Sequence, residues 1–183
     1  MRPRLTEVVR DRANAEQRRV GDKIFATRGE TYAGPSAILL QVPALAETLD
    51  DLRSVALKPK TLSNALVQLV TLVVARHWNA AYIWAVRERL SLKAGIGADV
   101  IDAIRHRRAP FFAAPDQAIV HDYAQALLGS ARVPDDLHGR AVAAVGEAGI
   151  VELVAVIGLY TTLALTARAA DLAAPDGAAP LPV

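Results

Sequence analysis

The chain has 183 residues, 52% of them apolar, with no cysteine and with 21 Lys and Arg against 19 Asp and Glu, a net charge of +2. That length buries one sizeable core, so a single domain over 1–183 is expected. The charge is nearly balanced, and only Arg105, His106, Arg107 and Arg108 cluster. This argues against the concentrated basic face of a nucleic-acid binder, and the lack of cysteine excludes disulfides, thiolate metal sites and thiol redox chemistry.

The first 33 residues read as a helical arm and a loop. Leu5, Val8, Val9 and Ala13 form an apolar stripe on a polar segment from Arg4 to Arg19, and the glycines and proline of 28–35 read as a loop. The charged start has no signal-peptide core, which points to a cytoplasmic protein. Pro35 and Pro43 suit the first turns of short helices, the second running from Ala44 to Leu57. Thr61 or Ser63 caps the next helix, whose apolar positions Leu62, Ala65, Leu66, Leu69, Val70 and Val73 repeat at helical spacing. Asn79 reads as the N-cap of its successor and Gly95 as its terminator.

Asp99 to Arg107 gives a short helix, and Arg108 to Pro115 a loop carrying Phe111 and Phe112. Helices over 116–128, 134–147 and 150–171 follow, for an all-α bundle of about eight or nine helices with no period-2 strand pattern. Residues 172–183 are a Pro-rich tail that cannot continue a helix. The uncharged run Leu153–Ala167 is shorter than the roughly 20 residues of a membrane span. It reads as a core or interface helix.

The segment Asn79, Ala80, Ala81, Tyr82, Ile83, Trp84 and then Arg87 resembles the active-site helix of the carboxymuconolactone decarboxylase and alkylhydroperoxidase D-like (AhpD-like) family. That helix carries Asn-x-Cys-x-Tyr-Cys and then His, or a cysteine-free Tyr-Glu-Trp version with the same His. The stretches 34–49, 92–96 and 146–165 are similar to the decarboxylase-like branch. The resemblance implies an AhpD-like helical bundle, no cofactor, and assembly as a homotrimer or homohexamer, or as a hetero-oligomer with a paralogue. The apolar circumference of 150–170 suggests assembly independently.

Residues 80, 83, 87, 90 and 94 share one helical stripe. In the redox branch of the family that stripe holds two thiols and a histidine, with a carboxylate from the preceding helix. Here the matching residues are Ala80, Ile83, Arg87 and Gln68. Thiol peroxidase chemistry is therefore excluded, because it needs a thiolate. Arg87 stays protonated and is a poor acid or base, yet suits a carboxylate or an enolate.

Two readings follow. In the first, the chain is a cofactor-free lyase or isomerase acting on a small carboxylated lactone or organic acid. Arg87 holds the anion, His77 or Tyr82 moves the proton, and Gln68, Asn79, Ala80, Ile83 and Trp84 line the substrate. In the second, it is a catalytically degenerate relative that binds a small molecule or serves as a structural subunit. Each residue has a structural alternative: an ion pair of Arg87 with Glu88 or Glu147, a satisfied buried amide at Gln68, a dipole contact at His77, packing at Tyr82 and Trp84. No metal-ligand spacing is present. No membrane or nucleic-acid partner is expected.

Overall fold

Asn14 fixes where the first long helix begins. Its side chain accepts from the Gln17 backbone N–H at 2.9 Å while the Gln17 side chain accepts from the Asn14 N–H at 3.0 Å. This reciprocal cap satisfies two donors that helix geometry leaves open. Helix α1 is therefore Ala15–Ala26, preceded by a 3-10 turn at Arg10–Arg12, and the expected helix over 4–19 is displaced toward the C-terminus. The segment before the turn is pinned in extended form instead, Val8 donating to the Ala37 carbonyl at 3.0 Å.

The structure, a computed structural model, describes residues 4–26, 32–130 and 132–182. Of the loop expected over 28–35, residues 28–31 lie outside them, and Gly34 and Pro35 belong to the first turn of the next helix. Helices α2 (Gly34–Leu39), α3 (Pro43–Ala56), α4 (Asn64–His77), α5 (Ala81–Lys93), α6 (Ala98–Arg105), α7 (Pro115–Ser130) and α8 (Asp135–Ala169) follow, and no strand occurs among the described residues. Pro35 and Pro43 sit in the first turns of α2 and α3, and Gly95 takes a φ of 88° after α5.

Helix α4 is the centre. Ser63 caps it, accepting from the Leu66 N–H at 3.3 Å, and every residue from Leu66 to Arg76 is buried. A helix apolar on nearly all sides needs neighbours all round; α5, α7 and α8 supply them, with α6 at one end. Each fully buried Leu or Val adds roughly 1.5–3 kcal/mol. A second core of Val20, Ile24, Phe25, Ala37, Leu40 and Ala46 joins α1, α2 and α3.

Two separate helices were expected over 134–147 and 150–171, and α8 is indeed two helical segments that meet at a break, which falls at Gly146. Gly146 has φ 70° and ψ 168°, a combination available essentially to glycine alone. Gly149 serves close approach instead, since a Cβ there would lie 2.8 Å from Val145 Cβ and 3.3 Å from Thr61 Cγ2. By length and composition α8 is apolar enough to cross a membrane. In the fold it supplies Leu153, Val156, Leu159, Tyr160 and Ala164 to the core.

Glu152 lies on α8 six residues beyond the break at Gly146. Its carboxylate accepts from the backbone N–H groups of Lys60 at 2.8 Å, Thr61 at 3.1 Å and Leu62 at 3.0 Å. The C-terminal tail continues no helix, as expected, and packs back on the body. The Pro180 carbonyl accepts from Arg105 Nη1 at 3.0 Å, and Leu181 rests on the core.

Candidate functional site

Arg87 and Gln68 meet between α5 and α4. Both are buried, 6% and 8% exposed, and Arg87 Nη1 donates to Gln68 Oε1 at 3.4 Å. The Gln68 amide is oriented by its own donation to Asn64 Oδ1 at 3.3 Å. Its backbone carbonyl accepts from Thr71 Oγ1 at 2.8 Å and Ser91 Oγ at 3.4 Å, which ties α5 to α4 at this level. Arg87 is thus held where the sequence stripe places it, one helical turn after Ile83, which is also buried.

Tyr160 completes the arrangement from α8, and sequence reasoning missed it. The Arg87 guanidinium carbon lies 4.7 Å from the centre of its ring, a cation–π contact strengthened by desolvation. Tyr160 is fully buried, and its hydroxyl has no hydrogen-bond partner among the described residues. A buried tyrosine hydroxyl usually finds a partner, and leaving one orphaned costs about 1–3 kcal/mol. The available signal was a lone phenol in the apolar run from Ile150 to Leu165.

The remaining expected site residues go elsewhere. His77 follows Gln68 by nine residues on α4, so it stands about 13 Å farther along the axis and on the opposite face. Within one chain it cannot serve the Arg87 site. Asn79 does not cap α5: it takes φ 48° in the α4–α5 turn, and its Oδ1 accepts from Arg76 Nη1 and, at 3.0 Å, from Arg107 Nη2. Ala80 occupies the N-cap position without a side-chain bond.

Tyr82 lies on the backbone of Gly34, where a Cβ would come within 2.6 Å of its hydroxyl. Gly34 itself has φ 71°, so that position is reserved for glycine twice over. Trp84 is fully buried beneath Arg105, whose Cζ is 5.4 Å from the ring centre. Glu88, one turn on, pairs with Arg105 and not with Arg87.

His77 instead lines a separate cleft of about 240 Å³ between α4, the loop after α6, and α7, together with Arg76, Arg107, Arg108, His121 and Gln125. Burial, and then the charge of Arg107, lower the His77 pKa below its ordinary value, which keeps the imidazole neutral at pH 7. The same two causes act on Arg76. A second crevice, between α1, α3 and α8, holds only about 10 Å³, the size of a water. Among the described residues no group of three His, Asp or Glu side chains gathers to hold a metal.

No family model matches the chain, and no curated protein matches it. Among solved structures it is similar to a cysteine-to-alanine variant of the debrominase Bmp8 in complex with 2,3,4-tribromopyrrole. The TM-score is 0.74 at 15% sequence identity, over 93% of this chain and 91% of that one. At that identity the likeness establishes the fold, which is AhpD-like and all-helical.

Proposed function

We propose that the chain is a cysteine-free relative of the carboxymuconolactone decarboxylase and AhpD-like family, and that its Gln68, Arg87 and Tyr160 site takes a small carboxylated organic acid or lactone. The Tyr160 hydroxyl carries this reading, a buried donor without a partner on the residue that Arg87 covers. A carboxylate or enolate oxygen between phenol and guanidinium would satisfy the one and accept from the other. In a decarboxylation the C–COO⁻ bond breaks and its electron pair moves to the conjugated carbonyl. Arg87 holds the resulting enolate, and the Tyr160 phenol delivers the proton to carbon and is reprotonated from water.

A second reading, a binding protein without turnover, is favoured by the apolar Ala80 and Ile83 and by the distance of His77 from Arg87. Both readings exclude a thiol mechanism, since the chain has no cysteine. Assembly as a homotrimer or homohexamer is part of the proposal. Its support is the exposed apolar edge of α8, where Val151 is 70% and Val154 45% exposed.

The experiment is a thermal-shift screen of small carboxylic acids and lactones, with product analysis for every stabilising compound. Saturation at a hundred times the dissociation constant adds about 2.7 kcal/mol. A shift that disappears in Arg87→Met supports the site; released CO₂ or an isomerised product marks the enzyme, and binding without product the second reading. If no acid shifts the wild type, the site reading fails.

A further inference from the structure

The cleft beside His77 has a charge the fold does not balance. Arg76 is 4% exposed, and its Nε donates to the Arg105 carbonyl at 2.7 Å. Its Nη1 shares the single oxygen Asn79 Oδ1 with Arg107 Nη2, which also reaches the Arg76 carbonyl at 3.4 Å. All of these acceptors are neutral. Among the described residues no carboxylate forms an ion pair with either guanidinium; Asp102 is taken by Arg108 and His106, and Glu88 by Arg105. Two like charges, one of them buried, are thus brought together around one amide oxygen, an arrangement that repulsion and desolvation both oppose.

The cavity next to them is polar and of useful size. Besides Arg76 and Arg107, His77, His121 and Gln125 line its 240 Å³. The His121 Nδ1 is engaged by Asp122 at 2.9 Å, and the ring packs against Phe112. Since Arg108 is paired with Asp102, two cationic charges face the cavity uncompensated. A monocarboxylate would leave one of them standing, whereas a dianion balances both. Phosphate monoesters are dianionic near neutral pH, and guanidinium forks match their oxygens bidentately.

We propose that this cleft is a binding site for the phosphoryl group of a small phosphate ester. It is separate from the Arg87 site and does not depend on it. Arg76 and Arg107 hold the phosphoryl oxygens, His77 and His121 offer imidazole nitrogens, and Gln125 lies at the rim for whatever the ester carries. The buried Arg76 makes it a built site, because its carbonyl and amide partners fix the guanidinium before any ligand arrives.

The test is a titration of the full chain with inorganic phosphate and with phenyl phosphate, following the imidazole resonances of His77 and His121. Sodium acetate and sodium chloride at matched ionic strength run beside them. The expected result is a saturable shift of both histidines and a raised melting temperature with the two phosphates and with neither control. Arg107→Gln, at an exposed position, should weaken phosphate at least tenfold while leaving the melting temperature of the free protein within a few degrees. Equal shifts with chloride, shifts with acetate as strong as with phosphate, or undiminished phosphate binding in Arg107→Gln would each overturn the proposal.

Discussion

Arg87 Nη1 donates to Gln68 Oε1 at 3.4 Å, so the cation on α5 is met from α4 by a neutral amide where the resembling family implies a carboxylate. Gln68→Glu would restore that carboxylate without changing shape. The variant should fold, with the introduced carboxylate competing with the proposed ligand for Arg87. Affinity for any organic acid found by screening should then drop at least about tenfold, or about 1.4 kcal/mol. Calorimetric titration checks this, and unchanged affinity would mean that Arg87 is not the anion-holding group.

Tyr160→Phe separates a ligand contact from packing. It removes a hydroxyl that no described residue satisfies, so the free protein should be as stable as wild type or more stable, by up to about 1–3 kcal/mol. Acid affinity should fall by about 1 kcal/mol, one hydrogen bond's worth. Denaturant melts and titration together check it; loss of stability with intact affinity would contradict the site.

Glu152 anchors the turn before α4 through three backbone donors. Glu152→Ala should cost about 1–2 kcal/mol, less than a fully buried set of charged bonds, because Lys60 and Thr61 are exposed and can turn to water. Burial alone would raise the Glu152 pKa, but the three N–H donors outweigh it and the pKa falls below the ordinary 4.5. The folded state therefore binds its proton less readily than the unfolded chain. The stabilisation is present in full above about pH 4.5 and is lost as the pH drops through the folded pKa. Urea melts between pH 3 and 7 should show this slope in the wild type and a shallower one in Glu152→Ala.

Gly146→Ala tests the kink in α8. A Cβ would meet no atom within 4 Å there, so the penalty is conformational: φ 70° with ψ 168° is closed to alanine. The expected loss is about 1–3 kcal/mol. Gly139→Ala, on the same helix with equally open surroundings and ordinary helical φ, should be neutral or slightly stabilising. Thermal unfolding of the pair reads the difference.

Helix positions were legible wherever a cap or breaker stood beside a periodic run: Ser63 before α4, Pro43 within α3, Gly95 after α5. Asn14 with Gln17 was equally explicit, and the apolar stripe at Leu5, Val8 and Val9 masked it, because that segment is tied to α2 and the end of α8 without being helical. The stripe put Ile83 and Arg87 on one face, and the family resemblance set Gln68 against them, as the Arg87–Gln68 contact has it. His77 and Asn79 were chosen for nearness to the motif in sequence, which says nothing of the turn after α4 that carries Asn79 toward Arg76 and Arg107 or of the face on which His77 lies. Tyr160 was out of reach, since a contact between α5 and α8 spans over seventy residues. The basic run from Arg105 to Arg108 was visible, but its convergence with the buried Arg76 required the fold.

Helix α4 stands between two polar clusters, Gln68 meeting Arg87 on one face and His77 lining the cleft on the other. Its middle turns, Leu69 to Val74, belong to both. A cavity cut there, at Leu72 for example, would loosen both clusters together, while changes at either end would be felt in one. Substitutions in the first two turns of α4 should therefore act on the proposed acid site and those in its last turn on the proposed phosphoryl site, each without the other.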